Sequence, residues 1–247
     1  MNAQVQQGLS AKTLFEVVEA GRFGVEYQPI ISLDSGENFG FEALSRFYDA
    51  KGESVRPDLV YAALHESPMT LFQVEFAQKQ LQLEHADRNV LLFVNLDQDA
   101  FYACQRDTLN NPFIDAIRQY GHDRVVVELI ENSEINDALQ SLSMIAAFAA
   151  MDVPTALDDL CNPQSLMSVP VMQLVEWIKL DKYVLKVRHD ERMMLFVRKL
   201  IEFAHQTGKK VILEGVETRE DLAFARILDV DFVQGFLFRE RFVQVMP

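Results

Sequence analysis

The stretch RVVVELI, residues 124–130, is almost unbroken valine, isoleucine and leucine, interrupted late by one carboxylate, Glu128. A strand with one wet face alternates apolar and polar side chains. A run such as this one fits a strand covered on both faces, as parallel strands are. NVLLFVNL, residues 89–96, has the same character and carries Asn95 at its end. Six more strand-like runs accompany these two. VEYQPIIS and NFGFEAL precede them, and VPTALDD, EWIKLD, KKVILEGV and VDFVQGF follow. Between the runs lie helical patterns. Ile135, Leu139, Leu142, Ile145 and Ala149 form one apolar stripe, and Met194, Val197, Leu200, Ile201 and Ala204 form another that Gly208 ends. Thr218 with Asp221 reads as a capping box opening a helix through Leu228. Strand–helix alternation implies parallel strands joined by right-handed crossovers. Eight strands in 247 residues is the size of a (β/α)8 barrel, with an open doubly wound sheet as the competing arrangement.

Glycine and proline punctuate the chain singly, and no low-complexity linker divides it. One domain over residues 1–247, with its core at about 20–240, is therefore expected. A formal net charge of −14 disfavours general nucleic-acid binding and attraction to anionic membranes. The two cysteines, Cys104 and Cys161, suggest neither a disulfide framework nor a cysteine zinc site. The start MNAQVQQGLS does not resemble a signal peptide, and the longest apolar run, residues 144–151, is too short to insert across a bilayer. A cytoplasmic location is the expectation. The five histidines show no HExxH spacing and read as surface or satisfied residues; Trp177, Met193 and Met194 read as packing.

The polar residues at the strand ends favour the barrel. In order they are Glu42, Asn95, Glu128, Asp158 with Asp159, Lys179, Glu214 with Glu217, and Gln234. From Asn95 onward they recur at intervals of 33, 30, 21, 35 and 20 residues, each suited to one strand–helix unit. The longer gap between Glu42 and Asn95 leaves room for additional helix in residues 59–84. In a barrel every such end opens on one face. Two carboxylates 4 Å apart repel by roughly 4 kcal/mol at an effective dielectric near 20, so the set requires cations. Carboxylates and one amide oxygen, with neither thiolate nor a well-placed imidazole, form a hard donor set that suits Mg2+ or Mn2+. Two ions sharing a bridging carboxylate would settle the charge and could grip a phosphodiester. Any one of these acids, taken singly, is more often a solvated loop residue or helix cap. It is the ordered set that points to a site.

The same residues carry a family resemblance. YQPIISLDSGENFGFEALSRF, residues 27–47, holds E-A-L-x-R behind a YQPI strand, and VNL, VELIE, ALDD, IKLD, EGVET and QGFLF follow in order. The series resembles the EAL-domain family of phosphodiesterases, which open cyclic di-GMP to linear pGpG. The resemblance implies a barrel variant with one early antiparallel strand, consistent with a hairpin through Asp34–Ser35–Gly36. It implies that Glu42, Asn95, Glu128 and Asp158 hold a first metal ion, Asp158 bridging to a second held by Asp159. Glu214 would contact the activated water or act as general base, and Lys179 would lie beside the nucleophile. Glu217 and Gln234 would order this arrangement, Arg46 would fork onto a substrate phosphate, and Gln28 and Leu44 would border the nucleotide. It also implies a homodimer formed beside the Asp–Asp loop.

That loop departs from the family pattern. Where relatives carry a sequence of the form DDFGTGYSSL, this chain has DDLCNPQSL, one residue shorter, with Cys161 at a glycine position and Pro163 nearby. Ile130 stands where a threonine that tethers the loop is usual, while Glu131, the remaining loop support, is present; the ending FLFRER lacks the usual proline. Two other readings therefore accompany the enzyme: a cyclic di-GMP receptor with little turnover, and a regulator acting through a protein partner.

Overall fold

A computed structural model describes residues 9–103, 110–130, 135–165 and 167–247. Gly36, at φ 73°, closes the turn between β1 (Phe23–Ser32) and β2 (Asn38–Tyr48), using the left-handed region that glycine enters without a Cβ clash. The two strands pair antiparallel over their length, from Phe23 opposite Phe47 to Ile31 opposite Asn38. A two-residue strand, β3 (Ser54–Val55), extends the hairpin outside the barrel. Next to β2, and parallel to it, stands β4 (Leu91–Asn95), followed by β5 (Val125–Ile130), β6 (Thr155–Leu160), β7 (Trp177–Leu180), β8 (Lys210–Leu213) and β9 (Phe232–Val233). Closure comes from β9 pairing antiparallel with β1, at Ile31 opposite Val233. A short β10 (Val243–Val245) adds to the other end of β1.

All eight expected strands are present, one of them runs against the rest, and closure excludes the open sheet. β3 and β10 escaped the sequence reading because two or three residues carry no periodicity. Residues 59–84 supply the extra helix, but as two pieces, Pro57–Leu64 and Pro68–Glu84, each begun by a proline whose missing N–H is harmless in a first turn. Thr218 and Asp221 do form the capping box, on the helix Arg219–Leu228. Every residue of the Met194-to-Ala204 stripe is buried. The other stripe needs correction. Leu139 is 63% exposed, and Ala149 faces outward too, while Ser141, Met144, Ile145 and Phe148 form the buried face of Ile135–Ala149. The large Met144 and Phe148, one turn apart, outbid Leu139 for the core.

Inside the barrel, Ile30, Phe93, Val126, Ala156, Trp177, Ile212 and Phe232 pack as a separate apolar plug. Phe93 and Trp177 meet edge to face at 5.1 Å between ring centroids. This floor keeps water from reaching the mouth from below, which sets the electrostatics above it.

Candidate metal centre

Lys179 is the middle of the site. It is fully buried, and its Nζ lies 2.8 Å from Glu128 Oε1, 2.8 Å from Glu214 Oε1, 3.1 Å from Asp158 Oδ1 and 3.4 Å from Glu42 Oε2. Burial opposes the ammonium charge, but Asp158, Glu128, Glu214 and Glu42 outweigh it and hold the Lys179 pKa well above its usual value. Each partner comes from a different strand: Glu42 from within β2, one residue before its pairing with β4 ends, Glu128 and Asp158 from two residues inside the ends of β5 and β6, and Glu214 from just past β8.

Glu42 is the best-anchored acid. Asn95 donates its Nδ2–H to Oε1 at 2.8 Å, and Gln234 donates its Nε2–H to Oε2 at 2.6 Å. Burial raises its pKa, but Lys179 and these amides outweigh that and bring it below the ordinary value. Glu128 is the reverse: burial, reinforced by repulsion from Glu42, lifts its carboxyl well above the carboxylate range despite Lys179. Glu214 is lifted likewise, by burial and then by Asp158. Asp158 is raised by burial, with Lys179 offsetting part of it.

A straight strand would aim Asp158 and Asp159 to opposite faces. The register of β6 against β7 breaks between Leu157 and Leu160, and Asp159 adopts φ 56°. This bulge turns both carboxylates to the mouth. Burial, then Asp158 and Asp181, push the Asp159 carboxyl up to about 6. Glu214 is presented by a turn that only glycine can make at the next position. Gly215 has φ 69°, and a Cβ there would sit 2.3 Å from Lys182 Cβ.

Two clusters result. Oxygens of Glu42, Glu128 and Asp158 lie within 4.8 Å of one another, as do those of Asp158, Asp159 and Glu214, so Asp158 belongs to both. Four of these five carboxylates pair with Lys179, and Glu128 Oε2 is buried without a hydrogen-bond partner among the described residues. The donor set, the shared acid and the orphaned oxygen all fit a pair of hard divalent cations.

Above the clusters a cavity of about 250 Å³ is lined by Gln28, Leu44, Asp181, Lys182, Glu217 and Gln234, among others. A larger one, about 420 Å³, adjoins it across Leu44 and is lined by Arg46, Tyr61, His65, Glu75, Lys79 and Asp97. The strand-end residues thus converge as their order implied, with Glu217 exposed on the rim. Glu131 and Cys104 lie outside the described residues.

A model of the family described as "EAL domain" matches residues 11–241. This chain belongs to the EAL domain family. Among its relatives is the bifunctional diguanylate cyclase/cyclic di-GMP phosphodiesterase MucR of Pseudomonas aeruginosa, 26% identical over 96% of this chain and 36% of MucR. The chain spans about a third of the length of the curated relatives it matches first. The solved MucR phosphodiesterase, in complex with c-di-GMP, superposes with a TM-score of 0.75 at 21% identity, covering 92% of this chain and 94% of the other. BlrP1 of Klebsiella pneumoniae, solved as a manganese/cyclic di-GMP complex, does so with a TM-score of 0.74 at 21% identity, over 91% of this chain and 56% of the other. Both likenesses concern the fold.

Several residues of this EAL domain that shape the mouth were not singled out in the sequence. The helix Pro68–Glu84 buries Glu75, Gln78, Lys79 and Gln82 against the barrel. Lys79 pairs with Glu75 at 3.4 Å and donates to the Asn95 carbonyl, so it braces the strand end that carries Asn95. The signal was present: polar residues at helical spacing 75, 78, 79 and 82 mark an inward polar stripe. His65, read as surface or satisfied, is exposed with its Nε2 2.9 Å from Asp97 and 3.7 Å from Asp99, a group whose ligand atoms lie within 4.8 Å of one another. Glu26, which pairs with Arg46 at 2.5 Å, had no sequence signal beyond its alternation with Gln28 in β1. No helix among the described residues is long and apolar enough to cross a membrane.

Proposed function

We propose that this EAL domain is a metal-dependent phosphodiesterase that opens cyclic di-GMP to linear pGpG. The observation that carries the reading is the pair of carboxylate clusters joined through Asp158 with Lys179 between them. Glu42, Asn95, Glu128 and Asp158 would hold one ion, and Asp158, Asp159 and Glu214 the other. Bound Mg2+ or Mn2+ supplies positive charge to polarise a phosphodiester and makes water more acidic. The formal excess of four negative charges on the five acids and Lys179 is what two divalent ions would cancel.

The chain's own groups do the remainder. Asn95 spends its amide N–H on Glu42, which leaves its oxygen to face a cation. Glu214, whose Oε1 lies 2.8 Å from Lys179 Nζ and whose carboxyl is raised by burial and then by Asp158, is the acid placed to contact the activated water or accept its proton. Lys179 places a fixed ammonium beside the reacting centre, where it offsets developing charge. Arg46 has the planar fork that matches a phosphate, which lysine lacks. Gln28 and Leu44 border the nucleotide, and the cavity past Leu44 has room for a base. Met167 and Phe196, both exposed and lining a cavity with Leu160, Cys161 and Pro163, support a homodimer on that face. Incubating the chain with cyclic di-GMP and Mg2+ or Mn2+, with products separated by chromatography, should yield pGpG; intact cyclic di-GMP in both metals sinks the proposal.

One observation favours the receptor reading as the alternative. Cys161, at the family's glycine position, has φ 73°, a conformation that strains a residue with a Cβ, and it immediately follows β6. Replacing Cys161 by glycine together with Ile130→Thr should raise Mn2+ affinity or turnover several-fold, about 1 kcal/mol. Unchanged calorimetric metal binding and unchanged rate would show the loop to be a working design as it stands.

A further inference from the structure

We propose that Glu26 is a built-in competitor for the anionic ligand of this site, holding Arg46 in an ion pair that opposes an incoming phosphate. The inference rests on the reading that a phosphodiester enters the mouth. It concerns a residue to which neither the EAL motifs nor the carboxylate clusters assign a role.

The hairpin register places the parts. Glu26 lies opposite Leu44, Gln28 opposite Glu42, and Gly24 opposite Arg46. With a two-residue period, Glu26, Gln28, Glu42, Leu44 and Arg46 share one face of the ribbon, the face that opens on the mouth. Glu26 Oε1 accepts from Arg46 Nη2 at 2.5 Å and from Gln28 Nε2 at 2.9 Å, while Oε2 accepts from Gln244 Nε2 at 2.5 Å. The other terminal nitrogen of Arg46, Nη1, donates to the Ser45 carbonyl at 2.9 Å. Each terminal nitrogen of the guanidinium therefore has one N–H directed to an acceptor within the chain, and it is the Nη2 bond to Glu26 that carries the opposing charge. The carboxylate and the guanidinium are also well covered, at 11% and 23% side-chain exposure, so solvent screens this pair less than an ordinary surface pair.

Three features separate a competitor from a simple brace. First, a phosphate at Arg46 would meet a like charge at Glu26, because Glu26 stays ionised. Burial raises its carboxyl, but Gln28, Gln244 and Arg46 outweigh burial and bring it below the ordinary value. Second, the pair can open without stranding a bare carboxylate. Gln28 donates to Oε1 and Gln244 to Oε2, so each oxygen keeps an amide partner when Arg46 leaves. Third, Gln28 links Glu26 to the reacting centre. Its Oε1 lies 3.5 Å from Gln234 Nε2, which also donates to Glu42. Release of Arg46 is thus coupled to the hydrogen bonds that orient Glu42. The far anchor, Gln244, sits on β10, opposite Glu26 in the register, so the C-terminal strand also bears on ligand affinity.

The test uses Glu26→Gln, which keeps the shape and removes the charge, with a thermal melt to confirm folding. Two probes are titrated by calorimetry: cyclic di-GMP, with Ca2+ present, and inorganic phosphate; in the forms that retain Arg46 its side-chain Nε–H NMR signal reports contact at the guanidinium. Glu26→Gln should tighten binding of either probe by about tenfold. Gln244→Ala, which loosens Glu26 from its far side, should give a smaller gain, and the gain should vanish in Glu26→Gln with Arg46→Met. Failure of every form to bind cyclic di-GMP, with phosphate binding still tightened by Glu26→Gln, would sink the nucleotide reading and leave the competitor standing. Unchanged or weaker binding of both probes in Glu26→Gln would overturn it and make Glu26 a brace for Arg46.

Discussion

Replacing Lys179 by methionine should destabilise the metal-free protein by about 3–5 kcal/mol, because it strands buried carboxylates without their partner. The direction follows from linkage. The folded-state pKa of Lys179 is raised, so its contribution is fully present below the unfolded value, across the whole neutral range, and is lost only as pH climbs through the folded value. The deficit should therefore appear in a chemical-denaturation curve at pH 7 in EDTA. Millimolar Mn2+ should restore much of it, and should raise the melting temperature more in Lys179→Met than in the unaltered chain. Turnover of cyclic di-GMP should stay depressed by more than about a thousandfold even with metal, roughly 4 kcal/mol of lost transition-state stabilisation. A variant as stable as the parent in EDTA would show that the four acid contacts at 2.8 to 3.4 Å do not carry the balance assigned to them.

Asp158→Asn should be nearly as severe for a different reason. Asp158 is the one acid common to both clusters, so removing its charge weakens both ion sites at once, whereas Asp159→Asn touches a single cluster. Calorimetry with Mn2+ should show two binding events in the parent, one preserved in Asp159→Asn, and neither at full affinity in Asp158→Asn. Turnover should fall by more than about a thousandfold. The substitution also removes the charge that, after burial, raises the Asp159 carboxyl to about 6, so Asp159 should titrate lower in Asp158→Asn. Carboxyl carbon shifts in NMR would read that directly. Metal binding that survives Asp158→Asn with unchanged stoichiometry would remove the bridging role.

Most of the fold was legible because burial on both faces leaves its mark on composition. RVVVELI and NVLLFVNL could not be half-wet strands, and eight such runs separated by helical periods leave few ways to cover every face. The set of strand-end acids was legible for a related reason: a barrel aligns its strand ends, so order along the chain becomes proximity in space. The loops and helices were less readable. The tilt of Ile135–Ala149 depends on whether Met144 with Phe148 or Leu139 wins the core, and both stripes satisfy a helical period. The polar stripe 75, 78, 79, 82 has the spacing of a helix face, but only the closed barrel sets which wall it meets and makes Lys79 the brace of Asn95.

By itself the sequence determined the parallel architecture and the order of the acids along its strands, since hydrophobic period and residue type are properties of the chain; the antiparallel first hairpin was implied only by the resemblance to EAL domains. Tertiary structure decided the rest. It placed Lys179 among four carboxylates, bent β6 so that neighbouring aspartates face one mouth, and set Glu26 against Arg46. Those outcomes rest on register, a bulge and cross-strand distance. Coulomb energy and desolvation act over a few ångströms, and such separations exist only once strands far apart in the chain have closed into a ring.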